Sequence, residues 1–243
     1  MFAFRDRLGR VEVAFTDRYG GVSEGPWSSL NLGTSNGDEP ARVVHNFAAL
    51  AHGLGVDVHR VARMSQVQGR HVEFLDDVPD GIPVADALVT RTPTLTLLVR
   101  AADCAPVVLA DPDAGVVAVA HAGRQGMLLG IVPATIATLR DRGATRIRGW
   151  LGPRICGGCY EVPEALRNEV TAAVPEAWAV TSAGTPGLDI AAGIRAQLRA
   201  ESVDIVDVAD SMSACTYENA DLFSYRRQGQ QSGRFGATVR IAA

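Results

Sequence analysis

Alternating and helical patterns of apolar residues run along the chain and predict both strands and helices. Val11, Val13 and Phe15 alternate with polar neighbours, which is the period of a half-buried strand. A helix is predicted to begin near Asp38-Glu39-Pro40, because acidic residues and proline favour the first turn. Its predicted apolar face comprises Val43, Val44, Phe47, Leu50, Ala51 and Leu54.

The remaining elements predict a layered fold. Short apolar runs predict strands near residues 87–89, 95–99, 107–109, 116–119, 146–151 and 205–208. Helices are predicted near residues 127–142, with an early interruption at Pro133, and near 163–174 and 190–201. Adjacent strands without regular alternation with helices favour an α/β (α+β) class with a mixed, largely antiparallel sheet over a Rossmann or barrel fold. No repeat or linker divides residues 1–243, so a single domain is expected.

A tight turn brings two chemically reactive residues together. The segment Ala110-Asp-Pro-Asp-Ala-Gly115 joins two strand-like runs and predicts a hairpin centred on Pro112 and Asp113. That register places Cys104 opposite His121, Pro106 opposite Val119 and Val108 opposite Val117. Facing side chains are close enough for a thiolate and an imidazole to share a metal ion or exchange a proton.

Each member of this pair also has a purely structural interpretation. Cys104 would then be a small buried hydrophobe and His121 a polar residue with satisfied hydrogen bonds. Asp103 is expected to point away from the pair as an orienting or capping carboxylate. After His121, the glycine-containing entry to a helix exposes backbone N–H groups suited to an anion.

Composition removes several classes of chemistry. All 23 basic residues are arginine, so mechanisms that need a P-loop or Schiff-base lysine are excluded. The net charge of −4 and the absence of arginine runs argue against nucleic acid as a partner. No apolar stretch approaches the length of a membrane helix, and the charged N-terminus does not resemble a signal peptide, so a cytoplasmic protein is expected.

Many short motifs, in order along nearly the whole chain, resemble the YfiH-like family. This family has long been described as multicopper polyphenol oxidases or laccases and is regarded as zinc-binding purine nucleoside phosphorylases. The matching segments are Phe15-Thr-Asp-Arg-Tyr-Gly-Gly-Val-Ser, Ser29-Leu-Asn-Leu-Gly, Gln66-Val-Gln-Gly, Ala102-Asp-Cys-Ala-Pro, His121-Ala-Gly, Gly152-Pro-Arg-Ile, Cys159-Tyr-Glu-Val, Cys215-Thr, Phe223-Ser-Tyr-Arg-Arg and Gly233-Arg.

The resemblance implies a layered α/β/β/α fold and a zinc ion held by two histidines and one cysteine. Two of these ligands correspond to Cys104 and His121 in this chain. Gln68 stands where the family has its other histidine, and His71 lies three residues further on. Since an amide is a poorer zinc ligand than imidazole, the site is weakened, completed by water, or completed by His71.

The implied activity is phosphorolysis of a purine nucleoside such as adenosine, inosine or methylthioadenosine, with adenosine deamination as a second activity. Its partners are then a small nucleoside and phosphate. Arginine binds phosphate through two parallel hydrogen bonds. The candidate catalytic or substrate-binding residues besides Cys104 and His121 are Arg18, Arg124, Arg226 and Arg234, with Asn31 and Glu161 as further pocket residues.

Two alternatives remain open. Cys104 and His121 also match the dyad of a cysteine hydrolase, such as an amidase that edits peptidoglycan precursors. Loss of the third metal ligand at Gln68 is also compatible with a non-catalytic relative. A multicopper cluster is disfavoured because the five histidines include no His-x-His pair. Without a second Cys-x-x-Cys, Cys156 and Cys159 are expected to be structural or incidental, and Cys215 to belong to the core.

Overall fold

The computed structural model describes residues 1–242, in which strands and helices alternate irregularly. The helices are α1 (Pro40–Leu54), α2 (Arg124–Leu129), α3 (Ile131–Asp141), α4 (Glu164–Ala173), α5 (Ile190–Ala200) and α6 (Tyr225–Gln228). The strands are β1 (Phe2–Leu8), β2 (Val11–Thr16), β3 (Val61–Ala62), β4 (Val72–Leu75), β5 (Ala87–Thr90), β6 (Thr96–Ala101), β7 (Ala105–Asp111), β8 (Val116–Ala122), β9 (Arg148–Leu151), β10 (Trp178–Val180), β11 (Pro186–Leu188), β12 (Asp204–Asp207) and β13 (Phe235–Ile241).

Two large sheets carry the fold. The first sheet has the order β1-β2-β13-β6-β3, and the second has the order β12-β9-β7-β8-β5-β4. Strand pairs inside each sheet are antiparallel, whereas β3, β4 and β12 join the sheet edges in parallel. Strands β10 and β11 form a small separate ribbon. The expected mixed, largely antiparallel arrangement is therefore confirmed.

The two sheets stack between helices and give four layers. Helix α1 packs on the outer face of the first sheet, where Phe47 and Leu50 contact Leu98. A second apolar layer between the sheets includes Val13 and Trp150. The outer face of the second sheet is covered by helices α2 to α5. This is the α/β/β/α order that the sequence resemblance implied.

Strands β7 and β8 lie at the centre and are buried on both faces. Val107 and Leu109 belong to the layer beneath the helices, whereas Val108 and Ala110 belong to the layer between the sheets. This explains the nearly continuous apolar sequence of both strands, since a strand buried on two sides needs no polar alternation. No helix within residues 1–242 has the length and apolar character needed to cross a membrane.

The turn between β7 and β8 is longer than predicted. Asp111 pairs with Val116, so the loop contains the four residues 112–115 instead of two. Gly115 adopts a positive φ of 62°, which glycine tolerates without strain. The Asp111 carboxylate accepts hydrogen bonds from the backbone N–H groups of Asp113 and its neighbour and thereby closes the wider turn.

The predicted pairing of Cys104 with His121 is wrong by two residues, because the turn is longer than predicted. His121 pairs with Pro106, and Val108 pairs with Val119. Because the register moves by two residues, and side chains alternate with a period of two, every residue keeps its predicted face. Cys104 precedes the first residue of β7 and remains on the face of His121 as its diagonal neighbour.

Two details of the helices also differ from the prediction. The break in the predicted helix over residues 127–142 falls at Gly130, whose φ is +79°, while Pro133 lies in the first turn of α3. Proline is tolerated there because a first-turn N–H has no partner within the helix. In α1, Val44 is exposed, and Asn46 is buried instead because its amide binds Ser23 and Asn31.

Candidate active site

A cavity of about 900 Å³ opens where the chain passes from the first sheet to the second. Strand β6 ends at Ala101 and β7 begins at Ala105, so the intervening Ala102-Asp103-Cys104 crosses between the sheets. The lining residues with polar side chains include Asn36, Gln66, Gln68, Arg100, Asp103, Cys104, His121, Arg124, Tyr160, Tyr225, Arg226 and Arg234.

Cys104 and His121 meet at the base of this cavity. The buried Asp86 carboxylate binds His121 Nδ1 at 2.9 Å, and the backbone N–H of His121 donates to the Asp86 carbonyl at 2.7 Å. The Cys104 thiol lies close enough to the imidazole to raise its pKa. Since Asp86 occupies Nδ1, the nitrogen that faces Cys104 is Nε2. Thiol, imidazole and carboxylate thus form one continuous chain.

The charge on His121 follows from these contacts. Burial removes hydration and by itself lowers the pKa of the ring, but Cys104 and Asp86 outweigh it and raise the pKa to about 9. The pKa of Asp86 is shifted in the opposite direction, downward. Its burial raises the pKa of the carboxyl, yet hydrogen bonds from His121 and from backbone N–H groups hold the pKa below its usual value. Without a metal ion, the pair is therefore an imidazolium and a carboxylate at neutral pH.

Asp86 also fixes the loop that carries Gln68. Its two oxygens accept hydrogen bonds from the backbone N–H groups of Val67, Gln68 and Gly69 at 3.2, 3.0 and 2.6 Å. Gln68 itself has a φ of 59°, an uncommon conformation for a residue other than glycine. The three N–H groups converge on one carboxylate and hold this conformation in place. One buried side chain therefore positions both His121 and the segment of Gln68.

Gly123 marks the place where Gln68 approaches Cys104. A Cβ atom at this position would lie 2.6 Å from Cys104 Sγ and 3.7 Å from Gln68 Oε1. The absence of a side chain at Gly123 is what gives the sulfur its space, and the Gln68 amide oxygen lies near the same point. The structure thus brings Cys104, His121 and Gln68 to one end of the cavity.

His71 does not join this group. Its ring is exposed, and Nε2 lies 3.0 Å from the Glu73 carboxylate on the protein surface. The chain between Gly69 and His71 turns into the edge strand β4, whose backbone pairing with β5 directs His71 away from the cavity. The structure therefore does not bring His71 together with Cys104 and His121, and completion of a metal site by His71 stays a prediction.

Arg100 is the most enclosed cation of the cavity wall. Its terminal nitrogens donate to two backbone carbonyls and to the Thr34 hydroxyl, but its buried Nε has no hydrogen-bond partner within the described residues. Burial, together with the nearby Arg63 and Arg234, lowers its pKa to about 10. The side chain is still protonated at neutral pH, so it adds a positive charge to the cavity wall.

Three further arginines surround the same space. Arg124, the first residue of α2, lies close enough to the Tyr160 hydroxyl to act on its pKa, which burial raises overall. Arg226 stacks over the Tyr160 ring at 5.0 Å and donates to the carbonyl of Glu161. Arg234 lies 5.8 Å from the Tyr225 ring centre, and burial lowers its pKa. Cations and aromatic faces therefore alternate around the opening.

Arg18 and Asn31 serve the fold rather than the cavity surface. Arg18 donates to the carbonyls of Ser28 and Ala220 and stacks on the Phe223 ring, so its guanidinium is used in holding loops together. Asn31 is buried, and its Oδ1 accepts the backbone N–H of Arg234 at 2.9 Å. Neither residue is among those that line this cavity, and a direct substrate role for them stays a prediction.

Asp103 is the capping carboxylate that the sequence indicated. It accepts hydrogen bonds from the Thr216 hydroxyl and from the backbone N–H of Arg226 in the first turn of α6, both at 2.6 Å. Sequence reasoning missed Asp86, Arg100 and Tyr160, although Tyr160 lies inside a matched motif. Glu161, expected in the pocket, is exposed and contributes its carbonyl to Arg226 instead.

The remaining cysteines also converge. Cys156, Cys159, Cys215 and Glu218 offer ligand atoms that all lie within 4.8 Å of one another. Cys156 and Cys159, expected to be structural or incidental, thus lie in one cluster with Cys215, which was expected to belong to the core. The sequence did not indicate this cluster, because the second pair is Cys-x-x-Glu and not Cys-x-x-Cys.

The other histidines do not gather around the cavity. His45, His52, His59 and His71 are exposed, and among the five histidines only His121 lines this space. A multicopper cluster needs several imidazoles close together. The arrangement described here instead offers one imidazole, one thiol and several guanidinium groups.

The chain thus has a four-layer α/β fold in which a thiol, an imidazole and a carboxylate lie beside a cavity lined by several arginines. The family model described as multi-copper polyphenol oxidoreductase laccase matches residues 12–242. The chain belongs to this family, as its motifs predicted.

Similar proteins carry more specific names. A Streptomyces coelicolor protein named purine nucleoside phosphorylase is 47% identical over 244 residues, which cover 98% of this chain and 99% of that protein. A protein named adenosine deaminase RL5, from an unknown prokaryotic organism, is 32% identical and covers 95% of this chain and 94% of its own. The crystal structure of Bacillus licheniformis YfiH is similar with a TM-score of 0.85 and 27% identity, over 96% of this chain and 93% of that one.

Proposed function

We propose that this protein is a purine nucleoside phosphorylase that acts on adenosine, inosine or methylthioadenosine. A phosphate oxygen forms a bond to C1′ of the sugar while the bond from C1′ to the purine nitrogen breaks. The products are the free purine and the sugar 1-phosphate. The observation that carries this proposal is the convergence of Arg100, Arg124, Arg226 and Arg234 on the cavity that contains Cys104 and His121.

The arginines have the properties required to hold phosphate. Guanidinium groups bind its oxygens through parallel charge-assisted hydrogen bonds. These hydrogen bonds strengthen as water is excluded. Arg124 and Arg226 are braced by the Tyr160 side chain, so little conformational freedom is lost when an anion binds. The exposed aromatic side chain of Tyr225 offers a surface on which a purine can stack.

The donor set near Gly123 fits a zinc ion. His121 presents Nε2 because Asp86 binds Nδ1, an arrangement typical of metal-binding histidines. Cys104 Sγ, His121 Nε2 and Gln68 Oε1 would hold the metal, with Gln68 as the weakest donor. When bound there, zinc would supply a Lewis acid that polarises an oxygen of the substrate. The same property supports adenosine deamination as a second activity of this site.

Phosphate dependence is the direct test of phosphorolysis. Adenosine or inosine incubated with the protein is expected to release free purine only when phosphate is present, and a chelator is expected to abolish the release. We expect Arg124→Ala to raise the KM for phosphate by roughly ten- to a hundredfold, since one charge-assisted hydrogen bond contributes about 1.5–3 kcal/mol. Arg199→Ala, at an exposed position near the end of α5, is the matched control.

A cysteine hydrolase is the second candidate. Asp86 binds His121, which contacts Cys104, and this order is that of a nucleophile, a base and an orienting carboxylate. An amidase acting on peptidoglycan precursors would need no phosphate and would resist chelation. Purine release that is unaffected by phosphate removal contradicts the phosphorylase. If purine release and deamination are both absent, even in Gln68→His, amide substrates and a non-catalytic role are the next hypotheses.

We also place the protein in the cytoplasm, where nucleosides and phosphate are available. The four cysteines are unpaired thiols in the structure. Reduced thiols persist in that compartment.

A further inference from the structure

Two turns of the same spacing meet at the surface behind the cavity wall. In Cys156-Gly-Gly-Cys159, the backbone N–H of Cys159 donates to the carbonyl of Cys156 at 3.0 Å. In Cys215-Thr-Tyr-Glu218, the chain turns so that the N–H of the next residue, Asn219, donates to the carbonyl of Cys215 at 2.8 Å. Each turn therefore presents two side chains, three positions apart, toward the same point.

Backbone pairing locks the two turns together. The backbone N–H of Arg154 donates to the carbonyl of Ala214 at 2.9 Å, and the carbonyl of Arg154 accepts the N–H of Thr216 at 3.0 Å. This short parallel bridge holds the turns side by side, although 59 positions separate Cys159 from Glu218 along the chain. The convergence is thus a property of the tertiary structure and not of one flexible loop.

The distances suit a small metal ion. All four ligand atoms lie within 4.8 Å of one another, and the Cys159 thiol contacts the Glu218 carboxylate at 3.3 Å. A tetrahedral zinc site with Zn–S bonds of about 2.3 Å has edges of about 3.8 Å between its sulfur atoms. Small side-chain movements therefore complete the tetrahedron.

A disulfide explains this arrangement less well. Bonding any two of the three cysteines leaves the third thiol and the Glu218 carboxylate without a role. A metal ion uses all four groups, and three thiolates with one carboxylate form a donor set that favours zinc over calcium or magnesium. We propose that Cys156, Cys159, Cys215 and Glu218 form a structural zinc site separate from Cys104, His121 and Gln68.

This site stabilises the wall of the cavity. Tyr160 follows Cys159 directly and lines the cavity between Arg124 and Arg226. Thr216 follows Cys215 directly and donates to Asp103, the residue before Cys104. A closed four-ligand site leaves no position for substrate, which is typical of structural zinc. The ion holds two distant segments together and thereby keeps Tyr160 and Asp103 in place.

Zinc content in a Cys104→Ser background tests the proposal independently of the proposed function. This substitution removes the cavity thiol, so any metal there is lost or weakened. Protein prepared with a reductant and supplied with stoichiometric zinc, then desalted, is expected to retain one zinc per chain by elemental analysis. Adding Cys159→Ser is expected to remove that zinc. The two cysteine-to-serine changes are chemically matched and differ only in the site that they affect.

Cobalt gives a spectroscopic readout that cysteines without a bound metal would not produce. Cobalt-loaded Cys104→Ser protein is expected to show thiolate charge-transfer bands and the visible bands of tetrahedral cobalt. Adding Glu218→Ala, at an exposed position that folding tolerates, should weaken metal binding by roughly tenfold or more. Adding Glu218→Cys should instead tighten binding by completing four thiolates.

Three results overturn the proposal. The first is a Cys104→Ser protein that folds but retains no zinc under these conditions. The second is a disulfide between any two of the three cysteines, found in protein whose free thiols were alkylated at cell lysis. The third is zinc affinity that is unchanged in both Glu218 variants. Since the Glu218 variants leave the cysteines intact, the proposal stays testable even if Cys159→Ser does not fold.

Discussion

At the scale of single residues, one buried carboxylate organises the candidate active site. Asp86 binds His121 Nδ1 and accepts three backbone N–H groups from the Gln68 segment. A carboxylate with all its acceptor positions directed at fixed donors has little freedom to move. The relative placement of His121 and Gln68 is therefore set before any ligand binds, which lowers the entropic cost of binding.

Gln68→His is expected to tighten zinc binding in the cavity by roughly tenfold or more, because imidazole is a stronger zinc ligand than an amide oxygen. Histidine is also among the residues that tolerate the positive φ at this position. Chelator competition in a Glu218→Ala background, which weakens the second site, measures the effect. His71→Ala is the matched control and is expected to leave the affinity unchanged, because His71 is exposed and paired with Glu73. Unchanged affinity in Gln68→His would show that this side chain does not reach the ion.

At the scale of elements, a buried ion pair joins the edge of the second sheet to its covering helix. Asp207, the last residue of β12, accepts hydrogen bonds from Arg154 at 2.7 Å and from Arg195 of α5 at 2.8 Å. Its Oδ1 also caps the turn that follows by accepting the N–H of Ala209. Burial raises the pKa of this carboxyl, but the two arginines and the N–H group outweigh it and lower the pKa overall.

Asp207→Asn is expected to reduce the free energy of unfolding by about 3–5 kcal/mol at neutral pH, because it leaves Arg154 buried without its charge partner. The folded pKa of Asp207 is lowered, so its stabilisation is present above the unfolded value of 3.8 and is lost as pH falls through the folded pKa. Denaturant unfolding of both proteins from pH 7 down to about pH 3 should therefore show a difference that shrinks only at the acid end. A constant difference over that range would contradict this account.

At the scale of the whole molecule, the layer between the sheets determines where the cavity can form. The crossing from β6 to β7 lies at one end of this layer, so Cys104 and His121 sit at its rim, beside apolar residues such as Val119. Trp150 is completely buried in the layer and donates its indole N–H to Asp6 of β1 at 2.7 Å. The same side chain thus connects the two sheets by packing and by a hydrogen bond.

Trp150→Ala is expected to reduce the free energy of unfolding by about 3–5 kcal/mol, because a large cavity forms between the sheets. Trp178→Ala is the matched control, since Trp178 is 55% exposed, and its effect should stay within about 1 kcal/mol. Denaturant unfolding of the three proteins measures both changes. Equal effects of the two substitutions would be inconsistent with an inter-sheet layer that stabilises the whole fold.

The sequence by itself determined the features that depend on near neighbours. Helix α1, strands β2, β7 and β8 and the hairpin between them follow from apolar periodicity and turn residues, which act over a few positions. The shared face of Cys104 and His121 was also predictable, because an error of two residues in register preserves the face of every side chain. Ordered motifs along the chain were enough to identify the family and, with it, the layered fold.

Only the tertiary structure decided which distant residues meet. Asp86 reaches His121 across paired strands, Arg100 enters the cavity from the other sheet, and Cys215 joins Cys156 through a bridge between separate segments. No local pattern marks such residues, since their role depends on backbone paths that converge after tens of positions. For the same reason His71, close to Gln68 in sequence, lies outside the site: the edge strand that follows turns it toward solvent.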